Sequence, residues 1–368
     1  MSRWYEISNA DGIPSPALLF YPDRIVDNIK RMIGVAGGTE RLRPHMKTHK
    51  SAEVVQLHIA QDIRKFKCAT IAEAEMVASC GAAEVLLAYQ PVGPNTRRLC
   101  ELIRNFPQTL FVTTADDETA VRALSDTARK ENVTVAVLLD LDCGQHRTGI
   151  EPGDRAFEIY KILCSLPCIQ PAGLHAYDGH IHDHDPKARA AACERAFAPV
   201  TALRERITKA DFPCPRVVAG GTPTFPFHAK RAEVECSPGT CVLWDWGYST
   251  NLPDLDFLHS AVLMTRVVSK PTVNRLCLDL GHKAVASEMP HPRVHFPDLA
   301  DAKPVAHNEE HLVVETSRAS EFSVGKVLYG IPWHICPTVA LHAEVVVAKD
   351  GRAEGSWSIA ARARRLNI

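Results

Sequence analysis

The chain has 368 residues, of which 46% are hydrophobic, and its 42 basic and 43 acidic residues give a formal net charge of -1. This length is enough for one large core and a smaller one, because a barrel domain alone takes about 250 residues. The charges are spread along the chain without a block of one sign, which argues against nucleic acid or a membrane surface as a partner.

The start of the chain and its cysteines bear on the cellular compartment. No apolar run approaches the ~20 residues of a membrane span. The first residues, Met-Ser-Arg-Trp-Tyr-Glu, lack the apolar core of a signal peptide. The 12 cysteines are scattered without a CxxC pair, which does not resemble a disulfide framework. We therefore expect a cytoplasmic protein.

Strand and helix patterns alternate through the first two thirds of the chain. An apolar run ends at Phe20, and apolar residues three and four apart predict a helix that opens at Asp23. Further helices are predicted over residues 51–60 and 71–80, and strands over residues 65–69, 84–88, 110–113 and 133–140. Strands that alternate with helices indicate βαβ units, and eight such units close a barrel.

After Trp244 the pattern changes. Runs typical of strands occur at residues 261–268, 275–280, 311–316 and 343–348, with few helical periods between them. A β-rich second domain that begins near residue 250 is therefore predicted.

Residues 41–50, Arg-Leu-Arg-Pro-His-Met-Lys-Thr-His-Lys, are the most informative stretch. Pro44 disfavours a helix through its position, so Lys47 is expected near a strand end, where α/β enzymes keep their catalytic groups. The cationic neighbours Arg43 and Lys50, together with burial, would favour the neutral amine of Lys47, which can form a Schiff base. A solvated basic loop is the alternative for a run of this composition.

The spacing Arg-Pro-His-x-Lys-Thr-His-Lys resembles the pyridoxal-phosphate lysine motif of the D-threonine aldolase and D-serine dehydratase family. The resemblance implies an alanine-racemase-like α/β fold, a (β/α)8 TIM-type barrel followed by a β-rich domain, with Lys47 carrying the cofactor. It also implies that residues 1–14 join the β domain, that residues 15–248 form the cofactor-binding barrel, and that residues 249–368 form the β domain.

The segment from Asp140 to Gly149 follows a strand of Val and Leu residues. An arginine there can donate charge-assisted hydrogen bonds to a phenolate or a carboxylate, although a simple glycine turn would also fit. The pattern Asp-x-Gly-x-x-Arg-x-Gly-Ile resembles the family segment beside the phenolic oxygen of the cofactor, which implies that role for Arg147.

Residues 173–185 are the most histidine-rich run. His175 and Tyr177 would share one face of a strand, and the resemblance places them beside the cofactor ring. A self-contained metal site is the weaker alternative, because the run has no defined ligand spacing. Aldolases of this family have a histidine base directly after the tyrosine, where this chain has Asp178. His180 and His182 are therefore the candidates for the catalytic base.

Two glycine-containing loops follow the last two predicted barrel strands. Backbone N–H groups with little side-chain bulk, flanked by hydroxyl groups, can bind a phosphate. Both loops resemble the phosphate-binding loops of the family, although Cys241 stands where a tyrosine is common. The implied cofactor-binding residues are Gly220, Gly221, Thr222, Ser237, Pro238, Gly239 and Thr240.

His334 and Cys336 form a candidate metal site. On an extended segment, residues two apart point the same way and offer an imidazole and a thiolate, although a packed His–Cys pair is the alternative. The position of the pair resembles that of the metal ligands of the family. Thiolate sulfur favours Zn²⁺ over Mn²⁺ or Mg²⁺. His311 is a possible support for this site.

The resemblance implies a lyase that acts on small D-3-hydroxy amino acids with pyridoxal phosphate and a divalent metal. Cleavage of the D-threonine aldolase type is the first hypothesis, and D-serine-type dehydration is the alternative that Cys336 favours. An amino-acid racemase and a non-catalytic pyridoxal-phosphate carrier are further alternatives. The family also implies a head-to-tail homodimer, with Trp333 and Trp357 available for an apolar interface.

Overall fold

The computed structural model describes residues 3–368, which form two compact units. The barrel unit comprises Arg31–Lys47, Val55–Gly239 and Ala363–Ile368. The mixed-sheet unit comprises residues 3–30, Thr48–Val54 and Thr240–Arg362.

The strands and helices follow in chain order. The strands are β1 (Ala17–Phe20), β2 (Lys65–Cys68), β3 (Glu84–Leu87), β4 (Leu110–Ala115), β5 (Val135–Asp142), β6 (Ile169–Tyr177), β7 (Val217–Ala219), β8 (Val234–Cys236), β9 (Ala261–Thr272), β10 (Arg275–Leu278), β11 (Val294–His295), β12 (Lys303–His307), β13 (Leu312–Glu315), β14 (Val327–Pro332), β15 (Glu344–Lys349) and β16 (Arg352–Ser358). The helices are α1 (Pro22–Ala36), α2 (Ala52–Ile59), α3 (Ile71–Ser79), α4 (Pro94–Asn105), α5 (Glu118–Lys130), α6 (Asp154–Ser165), α7 (Pro186–Lys209), α8 (Phe225–His228), α9 (Trp246–Asn251) and α10 (Ile335–Leu341).

Strands β2 to β8 form one parallel sheet in chain order. The extended segment before Lys47 joins its two edges, because Leu42 bridges to Cys236 of β8 and His45 bridges to Lys67 of β2, both in parallel. Pro44 suits this place because it needs only its carbonyl, which accepts a hydrogen bond from the Lys67 amide at 2.9 Å. The predicted α/β barrel-type fold with a β-rich second part is confirmed, with this segment in the eighth position.

The barrel interior has an apolar layer below the ends of the strands. Its buried members come from β3 to β7 and include β-branched and small residues that fill the barrel axis. They are Leu86, Val112, Ala136, Leu138, Ala172 and Val218. Strand β5 is buried along seven of its eight residues, as expected for a parallel strand covered on both faces.

The outer helices cover the sheet, and α5 does so with one apolar stripe. In α5, Val121, Leu124 and Ala128 are buried at a helical spacing. Asp117 caps the helix by accepting a hydrogen bond from the Ala120 amide at 3.0 Å, which satisfies one of the amides that the first turn leaves unpaired. Burial of a residue such as Leu124 contributes about 1.5–3 kcal/mol.

The second sheet is mixed and has nine strands. Strand β1 lies inside it, parallel to β15 and antiparallel to β9. Its inner face packs Leu19 with Val262 and Met264 of β9 and with Tyr329 of β14. The domain limits given above stay predictions, and strand β1 pairs in this sheet rather than in the parallel one.

The positions of the predicted strands and helices agree with the structure. The predicted barrel helices and strands are observed within two residues at each end, and the four later strands are observed as β9, β10, β13 and β15. None of the 12 cysteines forms a disulfide. Within residues 3–368, no helix has both the length and the apolar character of a membrane span.

Candidate active site

Lys47 lies in a single 3-10 turn, Met46–Thr48, directly after the segment that completes the barrel. Its Nζ is 5.9 Å from the centroid of the Tyr177 ring. The described part of the chain gives this amine no hydrogen bond or ion pair. Arg43, which the sequence suggested as a neighbouring charge, is instead buried and paired with Glu84 and Glu235.

Tyr177 is the last residue of β6, and its ring is surrounded by cations. Lys67 Nζ and the Arg147 guanidinium carbon each lie 5.2 Å from the ring centroid, slightly closer than Lys47. Two glycines leave room for the ring: a Cβ on Gly179 would overlap it, and a Cβ on Gly221 would lie 3.1 Å from Tyr177 Cε2. The Tyr177 ring therefore packs closely against the backbone of both glycines.

His175 lies two residues before Tyr177 and shares its face of β6. Its Nδ1 is 2.6 Å from Asp140 Oδ1 of β5, its partner in register. Burial and then the charge of Lys67 lower the pKa of His175, which favours the neutral imidazole. His175 Nε2 is buried and has no hydrogen-bond partner among residues 3–368, so this nitrogen is available to a ligand.

Lys67 is a site residue that the sequence analysis did not single out. It is 3% exposed and lies on β2, in register with Leu86 of the interior apolar layer. Burial and then the charge of Lys47 lower its pKa to about 7, against the opposing charges of Asp140 and Asp178. The available signal was a lysine in the middle of a short strand, between Phe66 and Cys68, where a charged side chain is uncommon.

Asp178 is buried and is hydrogen-bonded to two side chains. Its two carboxylate oxygens accept hydrogen bonds from Thr224 Oγ1 at 2.8 Å and from His228 Nε2 at 2.8 Å. Burial raises the pKa of Asp178, but these bonds outweigh it and lower the pKa below its usual value. Thr224 Oγ1 also accepts from the Gly221 amide at 3.3 Å, so Asp178 supports the glycine loop.

The same aspartate, with His228 and Cys193, forms a buried cluster with atoms close enough for a metal ion. Arg231 Nη1 lies 3.1 Å from His228 Nδ1. Because an arginine always donates, Nδ1 is the acceptor and the proton of the imidazole sits on Nε2, facing Asp178. The cluster therefore fits a hydrogen-bonded network better than a metal site.

In the two glycine-containing loops, the backbone amides of the glycines are not shielded by a side chain. Gly220 has φ +77°, and a Cβ on it would lie 2.6 Å from His228 Cδ2. Thr222 Oγ1 accepts from the Gly239 amide at 3.2 Å, and Pro238 accepts from the His45 amide at 2.9 Å. Ser237 Oγ is buried and has no hydrogen-bond partner among the described residues. These features fit a bound phosphate.

The two histidines proposed as bases differ in their surroundings. His180 is half-buried and packs against Gly144, where a Cβ would lie 2.9 Å from His180 Nε2. His180 Nδ1 is buried without a hydrogen-bond partner in the described part of the chain. His182 is exposed. Arg147 is also exposed, although it lies against the Tyr177 ring.

His334 and Cys336 are not on an extended segment, so that expectation is wrong. His334 is the N-cap of α10 and Cys336 lies in its first turn. Pro337 is accepted there because the first turn leaves amides unpaired in any case, and Asp245 Oδ2 accepts from the Ile335 amide at 3.0 Å.

The pair nevertheless comes together. Burial lowers the pKa of His334, but its hydrogen bond with Cys336 and the contact with Glu288 raise that pKa to about 9. His334 Nδ1 is 2.5 Å from Glu288 Oε1, a contact that orients the ring as carboxylates orient metal-binding histidines.

Other polar atoms of the mixed-sheet unit surround the thiol. Cys336 Sγ is 3.2 Å from Thr48 Oγ1 and 3.6 Å from Thr240 Oγ1. His311, the possible support, is exposed on the turn before β13.

Comparison with protein families settles the class of the chain. Residues 21–244 match the family described as alanine racemase, N-terminal domain, and residues 260–348 match the putative serine dehydratase domain. The chain belongs to the alanine-racemase N-terminal-domain family. It is a pyridoxal-phosphate-dependent lyase of the alanine-racemase-like fold, and the resemblance to D-threonine aldolases and D-serine dehydratases is confirmed.

Individual relatives of this family cover most of the chain. D-threonine aldolase from Arthrobacter sp is 29% identical over 328 residues, 87% of this chain and 85% of that protein. D-threo-3-hydroxyaspartate dehydratase from Delftia sp. (strain HT23) is 27% identical over 374 residues, 94% of this chain and 97% of that protein.

Solved structures give the same fold. The crystal structure of D-threonine aldolase from Filomicrobium marinum has a TM-score of 0.90 and 26% identity, covering 97% of this chain and 98% of that chain. A cysteine-to-alanine mutant of D-threo-3-hydroxyaspartate dehydratase in the metal-free form has a TM-score of 0.79 and 21% identity, covering 94% and 97%.

Proposed function

We propose that this family member cleaves D-3-hydroxy amino acids by a retro-aldol reaction of the D-threonine aldolase type, with pyridoxal phosphate and a divalent metal. The observation that carries the proposal is Lys47 Nζ, without an ion pair among residues 3–368, facing the Tyr177 ring in the barrel unit. The relatives named D-threonine aldolase support the substrate class.

The barrel residues fit the cofactor that the family implies. Pyridoxal phosphate, when bound, supplies an electron sink that stabilises a carbanion at the substrate's Cα. Lys47 would hold it covalently, and Arg147 would donate to its phenolic oxygen. The buried Ser237 Oγ, which has no hydrogen-bond partner among the described residues, would bind its phosphate, and the glycine-containing loop at Gly220 would let the phosphate approach the backbone closely.

His180 is the proposed catalytic base, with His182 as the second candidate. In aldol cleavage a base must take the proton of the substrate's 3-hydroxyl group, and a half-buried imidazole with an unused nitrogen suits that task. In the alternative dehydration, the Lys47 amine takes the Cα proton and the hydroxyl group leaves. The two reactions therefore differ in which of these residues moves the proton.

We further propose that His334 and Cys336 hold the metal, with Glu288 orienting the imidazole. A bound divalent ion would polarise the substrate's hydroxyl group as a Lewis acid. The thiolate favours zinc.

Product identification decides between the two lyase reactions. The purified enzyme, supplied with pyridoxal phosphate and Zn²⁺ or Mn²⁺, is incubated with D-threonine and with D-serine. Aldol cleavage gives glycine and acetaldehyde from D-threonine, whereas dehydration gives a 2-oxo acid and ammonia. Cys336 and the dehydratase relative favour dehydration as the second candidate. Racemisation without either product, or cofactor binding without turnover, would overturn both lyase proposals.

The metal proposal has its own test. We expect zinc to copurify, chelation to remove activity, and Cys336→Asp to raise Mn²⁺-supported aldol cleavage relative to dehydration, because a carboxylate prefers a harder ion. The absorbance of the bound cofactor should not change in this variant. Purified protein that contains no metal and is indifferent to chelator and added Zn²⁺ would contradict the proposal and favour a racemase.

We also propose a homodimer. Trp333 and Trp357 in the mixed-sheet unit are each half-buried, so part of each indole is available to an apolar interface. Light scattering at micromolar concentration should give twice the 40.5 kDa chain mass. A fully active protein of monomeric mass would contradict this.

A further inference from the structure

Lys67 is held rigidly inside the barrel. Its amide donates to the Pro44 carbonyl at 2.9 Å, and its strand neighbour in register is Leu86. Side chains in register on parallel strands point to one face, so the Lys67 side chain leaves the backbone on the same side as the interior apolar layer. It is 3% exposed.

The Lys67 ammonium has no anionic partner in the part of the chain that the structure describes. The ionisable groups that face it are Lys47 from the turn before α2, Asp140 and Arg147 from β5 and the loop after it, and His175, Tyr177 and Asp178 from β6 and its end. Each aspartate is already engaged, Asp140 by His175 and Asp178 by His228 and Thr224. The cations Lys47 and Arg147 form no ion pair with a described carboxylate.

A buried charge without a partner is costly, and natural proteins rarely keep one for structure alone. The opposite end of the same strand shows the usual solution, because Lys65 pairs with Glu235 at 2.8 Å. Burial and the charge of Lys47 lower the pKa of Lys67 to about 7. An anion that enters the site would favour the charged form again.

We propose that Lys67 is a substrate-binding residue whose ammonium group binds a carboxylate of the substrate. The proposal rests on the amino-acid lyase function proposed above for this site. The carboxylate has two possible sources, the α-carboxylate that every amino acid carries and a second carboxylate in the side chain of an acidic 3-hydroxy amino acid. Their chemistry toward an ammonium group is the same.

Proton uptake follows from this role. Burial is the largest cause that lowers the pKa of Lys67 to about 7, so at higher pH the neutral amine must take up a proton to bind the carboxylate. The affinity for a carboxylate should therefore fall by up to about tenfold per pH unit above pH 7. An arginine at this position would stay charged at every pH tested.

The first experiment measures binding rather than turnover. Malonate is titrated calorimetrically into the cofactor-loaded wild type, Lys67→Met, Lys67→Arg and Lys65→Met, at pH 6.5 and pH 8.5. We expect wild type and Lys65→Met to lose affinity at the higher pH, and Lys67→Arg to bind equally at both. Lys67→Met should bind about 10- to 100-fold more weakly than wild type at pH 6.5, without pH dependence. Malonate binding by Lys67→Met that equals wild type at both pH values, or no binding by wild type, would overturn the proposal.

The second experiment distinguishes the two sources of the carboxylate. KM and kcat are measured for D-threonine and D-threo-3-hydroxyaspartate. An increase in KM for both substrates in Lys67→Met identifies the α-carboxylate, and an increase for the hydroxyaspartate alone identifies the side-chain carboxylate. An unchanged KM for both, with altered kcat or altered cofactor absorbance, would overturn the proposal. If wild type turns over neither substrate, the lyase function fails, while the malonate titration still decides the role of Lys67.

Discussion

Cationic side chains at the two ends of the barrel strands differ in their partners. Toward the N-terminal ends, Arg43 binds both Glu84 and Glu235, Lys65 binds Glu235, and Arg216 binds Glu84. In this cluster, the paired end, each cation forms an ion pair with a carboxylate, and the Arg43 side chain is buried. Glu84 and Glu235 each bind two cations, and removing Arg43, which they share, would take one partner from both carboxylates.

At the C-terminal ends, Lys47, Lys67 and Arg147 gather around Tyr177, and no described carboxylate forms an ion pair with them. This cluster is the open end. The cations of the paired end form ion pairs within the barrel unit. The cations of the open end form none with the described residues, and we propose that they bind ligands. Substitutions at the open end should therefore mainly change cofactor binding and activity, and those at the paired end should mainly change stability. For the free energy of unfolding, Lys67→Met and Arg43→Met should have effects of opposite sign.

The largest effect is expected at the open end. Lys47→Ala should abolish activity and the visible absorbance of the bound cofactor, because this amine is the proposed attachment point. Absorption spectroscopy of the purified variant checks it. Lys65→Ala, at the paired end, serves as the matched control and should keep the absorbance. A cofactor that borohydride still traps on the Lys47→Ala protein would refute the assignment.

His180→Gln should lower kcat by about 10²- to 10⁴-fold, since it removes the proposed base. His182→Gln should stay within about twofold of wild type, because His182 is exposed. Steady-state kinetics with D-threonine, alongside the cofactor absorbance of both variants, makes the measurement. Equal and small effects of both substitutions would exclude these two histidines as the base.

At the paired end, Arg43→Met should lower the free energy of unfolding by about 1–3 kcal/mol, because Glu84 and Glu235 each lose one of their two cationic partners in a largely buried place. Urea denaturation measures this. Arg129→Met is the control: its pair with Asp126 is about two-thirds exposed on both sides, and the loss there should be below about 1 kcal/mol. Equal losses in the two variants would mean that the paired end has no special structural role.

Lys67→Met should raise the free energy of unfolding, whereas Arg43→Met should lower it. Because burial first and Lys47 second lower the pKa of Lys67 from 10.5 to about 7, the unfolded chain binds more protons than the folded chain between these pH values. The contribution of Lys67 to stability therefore rises with pH across that window, and the group is destabilising below it. At pH 7, without substrate, Lys67→Met should be more stable than wild type by about 1–3 kcal/mol.

Denaturation at pH 7 and at pH 9 checks the sign. The difference in unfolding free energy between Lys67→Met and wild type should be smaller at pH 9, because Lys67 is then mostly neutral in the folded protein and destabilises it less. A Lys67→Met protein that is less stable than wild type at pH 7 would show that Lys67 has a structural partner, as the cations of the paired end do.

Much of the open end could be predicted from the sequence. The spacing around Lys47 carried a family resemblance, and the period-two pattern of a strand placed His175 and Tyr177 on one face. Asp140 as the partner of His175 needed strand register, which short-range patterns do not contain. Lys67 belongs to no motif, and only its burial reveals it.

Two elements differ from the sequence expectation, the first for a local reason and the second for a long-range one. Residues 334–336 were expected to be extended, yet His334 is a helix N-cap and Cys336 lies in the first turn, where Pro337 is compatible with a helix and the Asp245 carboxylate accepts from the Ile335 amide. Strand β1 was recognised as a strand, but its pattern does not say which sheet it joins. Its partners, β9 and β15, lie more than 200 residues away in sequence.

The position of Lys67 on a strand has a consequence for how this enzyme can change. Catalytic and binding groups on barrel loops are usually altered together with loop length and conformation. Lys67 projects from β2 and is fixed by strand pairing on both sides, so replacing its side chain leaves the backbone in place. Where the carboxylate that Lys67 binds is the one in the substrate's side chain, a single codon change at position 67 would exchange preference between acidic and neutral substrates while Lys47 and the phosphate loops are kept.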